Sequence, residues 1–134
     1  MFTYSKLAQA GIAAVSYLAE KSREQRLVGS GEIAEARQLS RVLVAKILTL
    51  LSAAGVVSGK SGPAGGYQLA REPDKISLLD VVRVFEDVEN RVMCPFGPNW
   101  CGVKDPCPLH DSFFELHQDV LARLGQETFA QFVP

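Results

Sequence analysis

The sequence predicts a mostly α-helical fold with a small β-hairpin (α+β): a winged helix-turn-helix followed by a long C-terminal helix. Three observations carry this expectation. Two helical patterns lie about three residues apart, on either side of Gln38-Leu39-Ser40. A glycine-rich stretch, residues 59–66, then separates two short strand-like runs. From Leu109 onward, apolar residues recur every three or four positions.

A chain of 134 residues supports one compact domain with an appended element. Leu7, Gly11, Ile12, Val15, Leu18 and Ala19 fall at helical spacing, predicting an amphipathic helix from Ser5 to Lys21. Gly29-Ser30-Gly31 breaks the chain, and Ser30 is placed to cap a short helix ending at Arg37. Ser40 then caps a second helix, Arg41 to Ala54, with Leu43, Ile47, Leu50 and Leu51 on one face. Gly55 stands where a left-handed helix cap is wanted. The second helix is the longer and begins on a positive charge, as in a helix-turn-helix. Val56-Val57-Ser58 and Tyr67-Gln68-Leu69-Ala70 read as the strands of a hairpin, with Gly59 to Gly66 as its wide tip. Glycines there let backbone N–H groups approach phosphates. The loop lacks the Lys-Ser/Thr ending of a nucleotide-binding loop.

Ser77-Leu78-Leu79-Asp80 forms a capping box ahead of a helix from Val81 to Asp87. Asn90 to Pro108 is long and irregular, which in a compact domain points to function or disorder. The final helix runs from Leu109 to about Leu124. Its stripe of Phe113, Leu116, Val120 and Leu124 exceeds what so small a chain covers alone, so a homodimer is expected. The chain thus divides into a DNA-binding unit, residues 1–75, and a ligand-binding and dimerisation unit, residues 76–134.

Net charge is −1, but its distribution is uneven. Residues 1–75 hold ten Lys/Arg against six Asp/Glu, and residues 76–134 hold four against nine. Arg37, Arg41, Lys46, Lys60 and Arg71 mark a stretch with no acidic residue, a footprint suited to a polyanion. Arg41, Lys46 and Lys60 are the expected phosphate contacts, helped by amides at Ser40, Ser61, Gly62, Gly65 and Gly66. Val42 and Leu43 are the candidates for base contact. No apolar run is long enough to span a bilayer, and the N-terminus lacks a secretory pattern, so no membrane association and a cytoplasmic location are expected.

All three cysteines fall in the irregular segment: Cys94, Cys101 and Cys107, with His110 following in the pattern C-x6-C-x5-C-x2-H. An odd cysteine count in a reducing compartment argues against a disulfide framework. Four soft ligands among Pro95, Pro98, Pro106 and Pro108 suit a segment folded around a metal. Zinc accepts Cys3His, and imidazole also replaces thiolate at one iron of an iron–sulfur cluster. The spacing, wider than a C-x2-C knuckle, favours the cluster. A zinc site or a thiol/disulfide switch on the same residues is the alternative. An electron carrier or enzyme is the weaker rival, since Cys107 and His110 form the sole plausible nucleophile–base pair and no oxyanion device accompanies them. No enzymatic activity is expected.

The residues then carry a resemblance. Ile33-Ala34-Glu35, Leu39-Ser40, Lys46-Ile47-Leu48, Ala54-Gly55-Val56-Val57-Ser58, Gly62 through Arg71, Ile76 through Val81 and Cys107-Pro108-Leu109-His110 resemble the IscR/NsrR family of bacterial winged-helix regulators. The resemblance covers nearly the whole chain. It implies a homodimeric transcription factor on double-stranded, pseudo-palindromic DNA, with crossing C-terminal helices. It also implies a cluster that senses iron–sulfur status, nitric oxide or redox stress. The pattern departs from the family in three places. The first cysteine spacing is one residue longer. Gln9 stands where nitric-oxide-sensing members carry a ligating Asp, whereas His110 matches the histidine of the IscR-like branch. A 2Fe–2S cluster on Cys94, Cys101, Cys107 and His110 is therefore favoured over 4Fe–4S. Ser61 replaces the usual wing arginine, and the start of the recognition helix is apolar, suited to thymine methyls rather than bidentate hydrogen bonds.

Overall fold

The computed structural model describes residues 3–89, 94–96 and 107–134. Its first helix, α1 (Lys6–Glu20), begins where the Ser5 hydroxyl accepts from the Ala8 amide. Ala8, Ala14, Val15, Leu18 and Ala19 are buried along it, making α1 the central strut. The pair α2 (Ser30–Arg37) and α3 (Arg41–Ala53) packs against it.

Ser30 is the first residue of α2 rather than its cap. Gly29 occupies the cap position, without a side-chain bond. The three-residue turn works because Gln38 adopts φ +55°, which lets the Leu39 amide reach the Ala34 carbonyl at 2.9 Å. Ser40 caps α3 as its sequence suggests, accepting from the Leu43 amide at 3.1 Å, a contribution of about 1 kcal/mol. At the far end Gly55 takes φ +77°, and the amides of Gly55 and Val56 bond back to Ser52 and Leu51. That is a full Schellman motif, ending α3 and aiming the chain into the hairpin.

The hairpin pairs β1 (Val57–Lys60) antiparallel with β2 (Gly66–Leu69), in register Val57↔Leu69 to Lys60↔Gly66. Both strands reach further into the glycine-rich stretch than expected, so the tip narrows to residues 61–65. Val28 and Tyr67 exchange two backbone hydrogen bonds, each 2.8 Å, fastening the hairpin to the segment before α2. Gly66 permits this attachment. Its φ is +147°, and a Cβ there would lie 2.9 Å from the Val28 backbone.

The Ser77 capping box is present in both directions. It starts α4 (Leu78–Phe85), which begins three residues earlier than expected and stops before Asp87. The last helix, α5 (His110–Gln126), lies against α4. Its C-terminal end is stitched down by Leu78 N–H to Glu127 O (2.8 Å) and Phe129 N–H to Ile76 O (3.0 Å). Ile76, Val81 and Phe129 belong to the same apolar cluster as Val15, Ile33, Ile47 and Leu51. A second cluster of Leu79, Val82, Val88 and Leu124 fixes α5 on α4.

Candidate nucleic-acid interface and metal-ligand segment

Helix α3 divides cleanly into two faces. Val44, Ile47, Leu48 and Leu51 are fully buried, and Leu43 packs partly buried against the same core. Leu43, a sequence candidate for base contact, therefore faces the core. On the other side Ser40, Arg41, Val42, Ala45, Lys46 and Thr49 are exposed. Val42, at 82 % exposure, is the most exposed large apolar residue of the described chain. With Ser40 engaged at Leu43, the Arg41 and Val42 amides remain without intrahelical partners, a positive helix terminus suited to a phosphate.

The basic stretch seen in the sequence separates into two sets of side chains. Arg37 turns inward: it bonds Glu20 at 2.7 Å, Ser16 at 3.1 Å and the Ala13 carbonyl at 3.2 Å, with its guanidinium over the Tyr17 ring. Arg71 bonds the Lys75 carbonyl and lies 3.7 Å from Asp80. Arg41, Lys46 and Lys60 are exposed and make no ion pair among the described residues. At the hairpin tip Lys60, Ser61 and Gly62 are exposed, but the Gly65 amide is taken by the Gly62 carbonyl (2.9 Å). Gly66 is held against Val28. The amides near Ser61 and Gly62 thus sit at the outer edge, while Gly65 and Gly66 shape the turn.

A polar cluster that sequence reasoning missed braces this unit. Arg26 grips Glu32 with two bonds, 2.9 and 2.8 Å, and the Tyr17 hydroxyl donates to the same carboxylate at 2.5 Å. The Arg26 bonds, and then that of Tyr17, pull the Glu32 carboxyl down to about 2, while the hydrogen bond to Glu32 raises the Tyr17 hydroxyl above its ordinary value. The signal was faint, because the partners lie on three separate segments.

Of the expected metal ligands, Cys94, Cys107 and His110 are described, and Cys101 lies outside the described residues, as does most of the stretch from Asn90 to Pro108. Cys94 and Cys107 are half-buried and not disulfide-bonded. The His110 amide bonds the Cys107 carbonyl at 3.0 Å, so both residues share one turn at the start of α5. The His110 ring stacks on Phe114, with centroids 5.8 Å apart. No side chain caps α5, which leaves its positive end toward the cysteine segment. Only Cys107 and His110 are brought together at this terminus, and among the described residues no three Cys, His, Asp or Glu side chains are grouped to hold a metal ion. By donor type alone, thiols with an imidazole suit an iron–sulfur cluster and zinc equally. The Gln9 side-chain N–H donates to the Tyr4 carbonyl at 2.8 Å.

The expected dimer stripe is shared out. Leu124 is buried within its own protomer and Val120 packs beside it. Phe113 is half-buried, while Leu109, Phe114 and Leu116 are about 40 % exposed. His117, overlooked in the sequence, is 1 % exposed, and neither ring nitrogen has a hydrogen-bond partner among the described residues. Its spacing from Phe113, Val120 and Leu124 was the available signal, masked by its polar type.

Among the described residues no helix is long and apolar enough to cross a membrane. The profile of the Rrf2 family, described as an iron-dependent transcriptional regulator, matches residues 4–134. A protein of Aquifex aeolicus named as an HTH-type transcriptional regulator is 35 % identical over 119 residues, covering 87 % of this chain and 81 % of its own. Among solved structures, IscR of T. potens superposes with a TM-score of 0.75 at 28 % identity, over 96 % of this chain and 84 % of that one. CymR (YrzC), the global cysteine regulator of B. subtilis, superposes with a TM-score of 0.82 at 25 % identity over the whole of both chains.

Proposed function

The chain belongs to the Rrf2 family of DNA-binding transcriptional regulators, not enzymes, and from that premise we propose a homodimer whose affinity for a pseudo-palindromic operator is set by an iron–sulfur cluster. The observation that carries the DNA reading is the outward face of α3, with Arg41 and Lys46 exposed and free of ion pairs among the described residues, beside a capped helix start. Arg41, Lys46 and Lys60 neutralise phosphates, and the Ser61–Gly62 edge of the wing adds backbone contacts. Residues 1–75 supply this surface, and residues 76–134 supply the ligand and the partner contact. The exposed Leu109, Phe114 and Leu116, with half-buried Phe113, are the apolar surface left for a second protomer.

Cys94, Cys101, Cys107 and His110 would hold the cluster, with 2Fe–2S favoured because the fourth donor is an imidazole. When bound, such a cluster supplies a centre reactive toward oxidants and nitric oxide. The protein's part is mechanical. Cys107 and His110 set the first turn of α5, α5 is fixed to α4, and α4 packs on α1, the strut behind α3. A change in how Cys107 and His110 are held reaches both the partner surface and the recognition helix spacing through this chain of packed elements. IscR and CymR share the fold, so the cysteine and histidine donors, not the architecture, support the cluster reading.

Anaerobic purification with iron and sulfide determination and Mössbauer spectra tests this reading. The expected result is a red-brown protein with a two-iron signature that His110→Ala makes labile and Gln9→Ala leaves intact. A colourless protein with stoichiometric zinc, or none, overturns it in favour of a zinc site or a thiol switch. That second reading is favoured by the free, half-exposed thiols of Cys94 and Cys107.

A further inference from the structure

We infer that this regulator reads its operator through the C5 methyl groups of pyrimidines, with Val42 and Ala45 as the specificity-determining side chains. The inference rests on the DNA reading of α3 above and concerns what that face recognises. Val42, Ala45, Lys46 and Thr49 follow one another at i, i+3, i+4 and i+7, and all four are exposed. They form the row that enters a major groove when the helix docks.

The chemistry of that row is restrictive. Bidentate reading uses Arg or Lys at guanine and Asn or Gln at adenine, and of these only Lys46, which the DNA reading above assigns to a phosphate, stands on it. Arg41 lies one residue to the side, and its guanidinium rests against Gly31 at the start of α2, where an added Cβ would approach it to 3.3 Å. The Thr49 hydroxyl is spent on the Ala45 carbonyl at 3.0 Å. Lys46 offers a single flexible ammonium. Leu43, the other apolar residue of the first turn, packs on the core. What remains toward the bases is the Val42 isopropyl group and the Ala45 methyl.

In the major groove the complementary apolar feature is the C5 methyl of thymine. Leaving Val42 at 82 % exposure gains nothing in the free protein; covering it against a methyl does, by the usual gain for apolar burial. The same methyl is carried by 5-methylcytosine. A side chain that reads the methyl alone therefore accepts that base where it rejects cytosine.

The test uses a duplex selected from random sequence by the purified dimer. Each thymine of the half-site is replaced in turn by deoxyuridine, which removes only the methyl. At one or two positions affinity should fall about fourfold, the worth of one buried methyl. In Val42→Ala the replacement should cost nothing further at one of these positions, while Val42→Thr, which keeps a methyl, retains the sensitivity there. Exchanging the sensitive T·A pair for C·G should weaken binding, and 5-methylation of that cytosine should recover part of the loss. Both variants fold as the parent does, since residue 42 is outside the core. Tight binding that is indifferent to every deoxyuridine, or a sensitivity that survives at every sensitive position in Val42→Ala, overturns the methyl reading and leaves DNA binding standing. Failure to bind any duplex overturns the DNA reading and the inference with it.

Discussion

The Tyr17 hydroxyl donates to the Glu32 carboxylate at 2.5 Å, joining α1 to the first turn of α2. Arg26 closes the same carboxylate from the other side. The position of the helix-turn-helix on α1 is thereby tied to one charge. Glu32 titrates near 2 in the folded protein against an ordinary value of 4.5, chiefly through Arg26 and then Tyr17. A depressed carboxyl contributes stability that is complete above its unfolded value and is lost as pH falls toward the folded one. Unfolding free energy should therefore decline between about pH 4.5 and 2, with Glu32 contributing about 1 kcal/mol after solvent screening. Glu32→Gln should flatten that part of the profile in denaturant titrations. An unchanged slope would show that other carboxylates govern it.

Val28 and Tyr67 exchange two backbone hydrogen bonds beside Gly66, attaching the wing to the segment before α2. Gly66→Ala combines a left-handed backbone angle with a collision against the Val28 backbone. Its unfolding free energy should drop by about 2 kcal/mol. Gly29→Ala, with no atom within 4 Å of the added Cβ, should cost less than half of that. Equal effects of the two substitutions in thermal melts would contradict the attachment.

The division of the basic residues predicts two behaviours. Lys46→Ala and Lys60→Ala should weaken binding to all duplexes and lower the slope of log affinity against log salt by about one unit each. Arg37→Ala should leave the slope unchanged but destabilise the fold, since it removes the bonds to Glu20, Ser16 and Ala13. A reduced salt slope in Arg37→Ala would return that residue to the DNA surface.

His117 is buried with both ring nitrogens unpartnered among the described residues. Replacing such a group by an apolar one of similar shape removes a desolvation cost. His117→Leu should therefore raise the midpoint of thermal unfolding, by the equivalent of about 1 kcal/mol. A marked loss of stability would mean that the imidazole has a partner.

Much of the architecture is legible in the sequence because its punctuation is local. Ser40, Gly55 and the Ser77–Asp80 box each fix a helix end through bonds within a few residues. Features decided by tertiary packing were less legible. The phase of α5 depends on a histidine taking an apolar position, and Arg37 was indistinguishable from a DNA contact until Glu20 and Ser16 came beside it. Leu43 and Val42 are neighbours of similar chemistry, and only the packing of α3 on the core separates them. Within the ligand segment, the pairing of Cys107 with His110 follows from one helical turn, whereas Cys101 lies outside the described residues.

The central claim is that the occupancy of Cys94, Cys101, Cys107 and His110 governs DNA binding. It is tested most directly by anaerobic fluorescence anisotropy on one selected duplex, before and after chelation removes the cluster from the same preparation. The account predicts dissociation constants that differ by at least about tenfold, the scale of an ordinary allosteric coupling, and a difference that vanishes in His110→Ala. Equal affinities for a protein shown to carry the cluster and for its cluster-free form would contradict it.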